Sequence, residues 1–284
     1  CLRAVLLQLA YSNLWISATA AGFTWANQYL LGLQWDGRSG YLAFATMFMV
    51  YTFAKAIHFD PQADCVNDPE RTSFLLRWRK LLIFSAASCY ALAVALAQAR
   101  GVAWLCLLPF MTAVLYDVKW LPAGWRYRRL KDIPGVKSLV VALTWALVTV
   151  FFPVLLGPPL SPLAVALVFV WNTLIWFVNT AFFDLGDMRG DALEGTRTLP
   201  LVLGFQRTRL LLLGLTLVAA AVLEWGLWQG LFDPGSRWVN LVSVYSAAFV
   251  GWARDPDQDL GFTCDVVADG VGLVACLLAL CVWH

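Results

Sequence analysis

Apolar tracts of similar length alternate with short polar segments along the whole chain, and their length is close to what a bilayer-crossing helix requires. A helix rising 1.5 Å per residue needs about 20 residues for about 30 Å of hydrocarbon. Windows of that kind fall at 4–24, 41–57, 80–99, 102–116, 138–157, 162–183, 208–230, 238–252 and 264–283. Three are short, and the first contains Gln8, Ser12 and Asn13, so eight spans plus an interfacial helix is the alternative count. Little is left over for a soluble domain. The expected fold is all-α, a polytopic transmembrane helical bundle of about nine spans, forming one domain over 1–284 with polar loops near 58–79, 117–137 and 184–207.

Composition agrees: 61% of residues are hydrophobic and 13% charged, where soluble domains carry about 25% charged residues. A net charge of +2, with no dense basic arm, excludes nucleic-acid binding by bulk electrostatics. Seven cysteines without a CxxC pair indicate neither a zinc ribbon nor a disulfide framework. The chain opens at Cys1 rather than Met, which reads as a trimmed or partial start, and no charged leader with a cleavage site follows. An integral, multi-pass membrane protein is therefore expected, its partner the lipid bilayer, with no obligate protein partner.

Basic residues orient the bundle, because loops rich in Lys and Arg stay cytoplasmic. Arg38, Arg100 and Arg237 lie after the first, third and seventh windows, and the other seventeen of the twenty lie at the amino terminus or around the loops after the second, fourth, sixth and eighth. That split predicts a cytoplasmic amino terminus and cytoplasmic even-numbered loops. The acidic residues gather on the same face, so chemistry is expected there.

Asp184, Asp187 and Asp191 stand at i, i+3 and i+7, which a helix continuing out of the sixth window would place on one face. Like charges so spaced repel and call for a cation. A hard dication suits them, since Mg²⁺ is commonly held by one or two carboxylates together with substrate phosphate oxygens; a solvated loop with Asp191 paired to Arg189 or Arg197 is the structural alternative. In the loop after the second window, Pro61 forces Asp60 out of the helical region, so Asp60 and Asp64 cannot be neighbours on one unbroken helix. Metal binding and helix capping both remain open for them, while Asp68-Pro69-Glu70 has the form of a helix start. Between the acidic loops lie Lys119, Arg126, Arg128, Arg129, Lys131 and Lys137. These cations either signal topology or neutralise a diphosphate whose metal the acidic loops hold.

The run Asp184-Leu-Gly-Asp187-Met-Arg-Gly-Asp191, with its tail Gly195-Thr-Arg-Thr198-Leu199-Pro200-Leu-Val-Leu-Gly204, resembles the second aspartate motif of the UbiA superfamily of intramembrane prenyltransferases. The stretch 130–145 is similar to the segment leading into that family's fifth helix, and Tyr127 with Lys131 has the spacing of its Tyr-x-x-x-Lys element. The first motif departs from the family's Asn-x-x-x-Asp-x-x-x-Asp, since Ala56 stands where Asn is usual and Pro61 interrupts it.

The resemblance implies a Mg²⁺-dependent enzyme that takes a prenyl diphosphate and a hydrophobic acceptor, aromatic or lipid-like. Asp60, Asp64, Asp184, Asp187 and Asp191 would hold metal, Lys119, Lys131, Arg189 and Arg197 the diphosphate, and Tyr127, Lys131, Asp187 and Asp191 the catalytic roles. Trp145, Trp171, Trp176 and Phe182 are expected to wall a dry cavity for an allylic cation. Two alternatives stand beside this: a membrane terpene cyclase using the same ionisation without an acceptor, and a transporter with Glu224, Asp265 and Asp269 along an ion path.

Overall fold

The computed structural model describes residues 2–57, 69–117, 122, 133–194 and 197–283. Its elements are α1 (Leu2–Tyr11), α2 (Leu14–Leu30), α3 (Gly37–Ile57), α4 (Pro69–Gln98), α5 (Trp104–Asp117), α6 (Val136–Leu156), α7 (Pro162–Gly186), α8 (Met188–Glu194), α9 (Leu199–Leu203), α10 (Phe205–Trp228), α11 (Ser236–Trp252), a π-helical turn (Thr263–Ala268) and α12 (Val271–Leu280). Among the described residues there is no strand. Among the described residues, five segments are long and apolar enough to cross a membrane: Glu70–Gln98, α6, α7, α10 and Thr263–Leu280. Phe84, Met111, Leu217 and Leu277 are each at least 60% exposed, which suits side chains whose solvent is lipid rather than water.

The first apolar window is two helices, not one. The Ser12 hydroxyl donates to the Leu9 carbonyl (2.9 Å), and Asn13 turns the backbone into the left-handed region at φ 63°. Asn tolerates that conformation because its short polar side chain can bond locally; here Asn13 Nδ2 donates across the bundle to Thr52 Oγ1 (3.3 Å). Polar residues that looked like blemishes in a span are thus the break itself.

α7 starts on Ser161-Pro162, with the Ser161 hydroxyl accepting from the Ala164 amide and proline at the first turn, where its missing N–H costs nothing. It packs along α6, and α2 packs along α12. Between α2 and α12 the backbones nearly touch, and a Cβ on Gly22 or Gly272 would collide with the carbonyl opposite. Small residues allow such approach where lipid tails compete for every apolar surface.

The centre is aromatic. Trp145 and Trp176 stack at 3.8 Å, and Phe23 packs on both Trp171 (5.5 Å) and Trp176 (5.3 Å). Beside them Asn27 and Asn172 exchange side-chain amide bonds (3.1 and 2.8 Å), and the Thr149 hydroxyl donates to the Trp145 carbonyl. Buried amides without partners are costly. Asn172→Leu would leave Asn27 Oδ1 without its donor, while Asn27 Nδ2 keeps the Thr149 carbonyl (3.1 Å), and the variant's melting temperature in detergent should fall, corresponding to about 1–3 kcal/mol. Glu224, placed in the sequence on a hypothetical ion path, accepts from Asn240 Nδ2 (3.2 Å) and faces Arg237 (3.6 Å) at the junction of α10 and α11.

Candidate active site

The acidic run does not lie on one straight helix. α7 ends at Gly186, Asp187 sits outside helical geometry (φ −95°, ψ 6°), and α8 restarts at Met188. The hydrogen-bond ladder nevertheless continues through the kink, from the Asp187 amide to the Phe183 carbonyl (3.0 Å) and from the Asp191 amide to the Asp187 carbonyl (2.9 Å). The three carboxylates therefore remain close while differing in surroundings.

Asp184 faces inward and is 4% exposed. Ser138 donates to its Oδ2 (2.8 Å), and Lys137 Nζ lies 3.7 Å from its Oδ1. The Thr180 hydroxyl donates to the Ser138 carbonyl (3.1 Å), fixing the first turn of α6 against α7. Gly135 makes that turn possible, because it is left-handed (φ +78°) with the Leu199 side chain pressed against it.

Asp187 has its outer edge open to solvent, with protein closing in on its other sides. Loss of hydration, then the negative charge of Asp191, pushes its carboxyl up to about 6; Lys137 opposes the rise, and Asp184 and Asp265 add to it. Asp265, in the π turn, is thus a fourth acid at this site. Side chains from two helices satisfy the turn's carbonyls: Trp15 Nε1 donates to Val266 (2.9 Å), Tyr245 to Val267 (2.7 Å), and Thr19 to Asp269. Lys55, near the end of α3, lies within electrostatic range of Asp269.

An apolar cavity of about 230 Å³ opens between α3, α5 and α6. Helix directions give it a depth axis. Ala54, Thr112 and Val140 mark the end beside Lys137, whereas Met47, Pro109 and Trp145 lie deeper, so it extends about 8–10 Å along the helices. Trp145 closes the deep end, held by the stack on Trp176 and by its Nε1 donating to the Tyr51 hydroxyl (3.1 Å).

Residues 19–260 match the UbiA prenyltransferase family. The chain belongs to that family. A digeranylgeranylglyceryl phosphate synthase from Natronomonas pharaonis is 26% identical over 253 residues, covering 86% of each chain. One from Halobacterium salinarum is 30% identical over 152 residues, covering 53% of this chain and 51% of its own. The fold is similar to a solved structure described as a digeranylgeranylglyceryl phosphate synthase in membranes (TM-score 0.58, 15% identity, 98% of both chains). It is also similar to a UbiA homologue from Archaeoglobus fulgidus (TM-score 0.54, 13% identity, 96% of both chains). Membership makes this chain a prenyltransferase and an integral membrane protein.

Of the residues expected to serve the UbiA reaction, the fold brings Asp184, Asp187 and Asp191 together and leaves Arg197 exposed at the surface. Asp60, Asp64, Lys119, Tyr127 and Lys131 lie outside the described residues, as does the Arg189 side chain. The aromatic wall is smaller than expected. Trp145 lines the cavity, but Trp171, Trp176 and Phe182 are fully enclosed in the core. Two groups escaped sequence reasoning as members of this site: Lys137, which had been counted among loop cations, and Asp265, whose role depends on the last helix returning to α7.

The family is divalent-metal dependent in general, and the donors here suit Mg²⁺. Among the described residues no three His, Cys, Asp or Glu side chains form a ready-made metal cage. A pair of crowded carboxylates, Asp187 at the surface and Asp191 half-buried, is what remains, and Mg²⁺ bound through one or two carboxylates completes its shell from substrate phosphate and water.

Proposed function

We propose that the chain is a Mg²⁺-dependent intramembrane prenyltransferase that moves an isoprenoid group from a prenyl diphosphate to a phosphate-bearing glycerolipid acceptor. The observation that carries it is the juxtaposition of the Asp187–Asp191 pair with an apolar cavity whose mouth begins one turn beyond Lys137. Diphosphate and isoprenoid differ utterly in polarity, and few arrangements offer an anion-binding head and a hydrocarbon tail site so close together. The acceptor class follows the relatives' name, digeranylgeranylglyceryl phosphate synthase.

In this reading the bundle crosses the bilayer about nine times with the site on the cytoplasmic face. Asp187 and Asp191 hold the metal, joined by Asp60 and Asp64 from the other acidic loop. Asp184, locked to Lys137 and Ser138, positions the kink from behind. Bound Mg²⁺ would offset diphosphate charge and favour its departure. Lys119, Lys131, Arg189 and Arg197 take up the remaining charge as the C–O bond breaks and its electron pair leaves with the diphosphate, and Tyr127 is a catalytic residue with Lys131. The cavity keeps water from the allylic cation, whose charge faces the Trp145 ring. An acceptor hydroxyl oxygen then bonds to the cationic carbon, and its proton passes to the released diphosphate.

The test supplies purified protein in liposomes with geranylgeranyl diphosphate, Mg²⁺ and a prenylated glyceryl phosphate, and identifies products by mass spectrometry. A product carrying one more geranylgeranyl group is expected. Cyclic hydrocarbon or alcohol from diphosphate alone would instead assign a terpene cyclase and overturn the proposal.

A further inference from the structure

A small recess, walled by Leu75 and Leu82 as well as by polar side chains, lies where α2 begins, between α3 and α4, on the same end of the bundle as the acidic kink. Four polar residues line it, Asn13, Thr52, Lys55 and Arg79, and Ile83 stands at its lipid-facing rim. Three observations separate it from an ordinary charged helix end. Asn13 is 2% exposed, and with Nδ2 given to Thr52 its Oδ1 has no hydrogen-bond partner. A buried amide atom in that state calls for a ligand or water. Exchanging the amide's O and N would leave Nδ2 in that position instead, so one polar atom of Asn13 addresses the recess in either orientation.

Second, Arg79 turns inward. Its neighbours Arg77 and Lys80 are exposed, and Arg77 lies over the Trp78 ring (5.1 Å), whereas Arg79 is half-buried against the recess. A cation at a membrane helix's edge ordinarily extends towards water and headgroups, so an inward one marks a functional position. Third, Asn13 is the one non-glycine residue with positive φ among the described residues, so the helix break delivers this side chain to this place. The recess has a volume of about 10 Å³, room for about one water molecule, so a phosphate enters only where the Lys55 and Arg79 side chains move apart.

We propose that this recess is an anion subsite for the phosphate of a lipid substrate entering sideways from the bilayer, separate from the carboxylate-bound diphosphate site. Lys55 and Arg79 supply the positive charge, Arg79 as a two-pronged donor, while Asn13 and Thr52 bond to the phosphate's hydroxyl or to the adjoining glycerol. Lys55 also stands within electrostatic range of Asp269, which continues through Asp265 to Asp187. A phosphate seated here would lie on the same polar surface as the reacting centre. The inference rests on the glycerolipid reading above, from which the recess gains a named occupant.

Binding is measured without donor, as the thermal shift of purified protein in zwitterionic detergent titrated with a prenylated glyceryl phosphate or with the same lipid lacking phosphate. The phosphorylated lipid should bind wild type at least about tenfold more tightly. Arg79→Gln and Lys55→Gln should each lose most of that preference, with Arg79→Lys recovering part of it, while exposed Arg77→Gln keeps it in full. Equal losses at Arg77 and Arg79 would mean diffuse surface charge and overturn the subsite. Phosphatidylglycerol competing as well as the prenylated lipid would assign the recess to bulk lipid and overturn its substrate role. Phosphate preference without prenyl transfer would remove the proposed function and leave the subsite standing; transfer without preference would do the reverse.

Discussion

Asp187→Asn and Asp191→Asn are each expected to lower Mg²⁺-dependent diphosphate release by at least about 100-fold, since even groups that merely support a metal ligand are worth about 10–100-fold. The measurement is inorganic diphosphate released from geranylgeranyl diphosphate by protein recovered from membranes in normal yield. Unchanged release in both variants would remove the metal assignment. The same Asp187→Asn substitution should stabilise the metal-free protein. Its carboxyl is raised from the ordinary aspartate value of 3.8 to about 6 in the folded state. Ionisation therefore opposes folding, with the penalty complete above pH 6 and vanishing as pH falls below 4. With the side chain open to solvent on one edge, screening limits the gain to about 1 kcal/mol or less. A higher melting temperature than wild type at pH 7.5, closing towards pH 4, is the expected signature of a residue retained for chemistry at some expense in stability.

The second large effect concerns the deep end of the cavity. Trp145→Ala removes a ring that is 2% exposed, stacked on Trp176 and bonded to Tyr51, and should cost about 3–5 kcal/mol of stability. Because that loss alone would depress activity, Trp145→Phe is the informative variant. It keeps an aromatic face and gives up the N–H donated to Tyr51, a loss of about 1 kcal/mol. The weaker attraction of a phenyl face for a cation should slow prenyl transfer about tenfold in a single turnover. A Trp145→Phe enzyme with unchanged transfer rate would reduce Trp145 to a packing residue.

Much of this architecture was legible because hydropathy averages over long windows. The apolar windows fall on helices, five of them long and apolar enough to span among the described residues, whereas 4–24, read as one window, holds a break at Ser12 and Asn13. Facing within the bundle was not legible in the same way. Trp145 and Trp176 look alike in sequence, yet one closes a cavity and the other lies behind it, because that distinction depends on how α6 meets α7 and α3. The aspartate spacing pointed to a shared face, but not to the kink at Asp187 or to Lys137 and Ser138 holding Asp184 from the next helix. Asp265 escaped for a related reason. No spacing rule links it to Asp187, and only the return of the carboxyl-terminal segment makes them neighbours. Glu224 was placed on an ion path because its partners Arg237 and Asn240 belong to a different helix.

The π turn at Thr263–Ala268 divides the last membrane segment into two parts with different duties. Beyond it, Gly272 seats α12 on α2; within it, Asp265 looks towards the carboxylates. A regular helix would tie those two orientations rigidly together at about 100° per residue. The widened turn releases that phase relation, so the acid at one end and the glycine seam at the other can each be oriented without compromise between them.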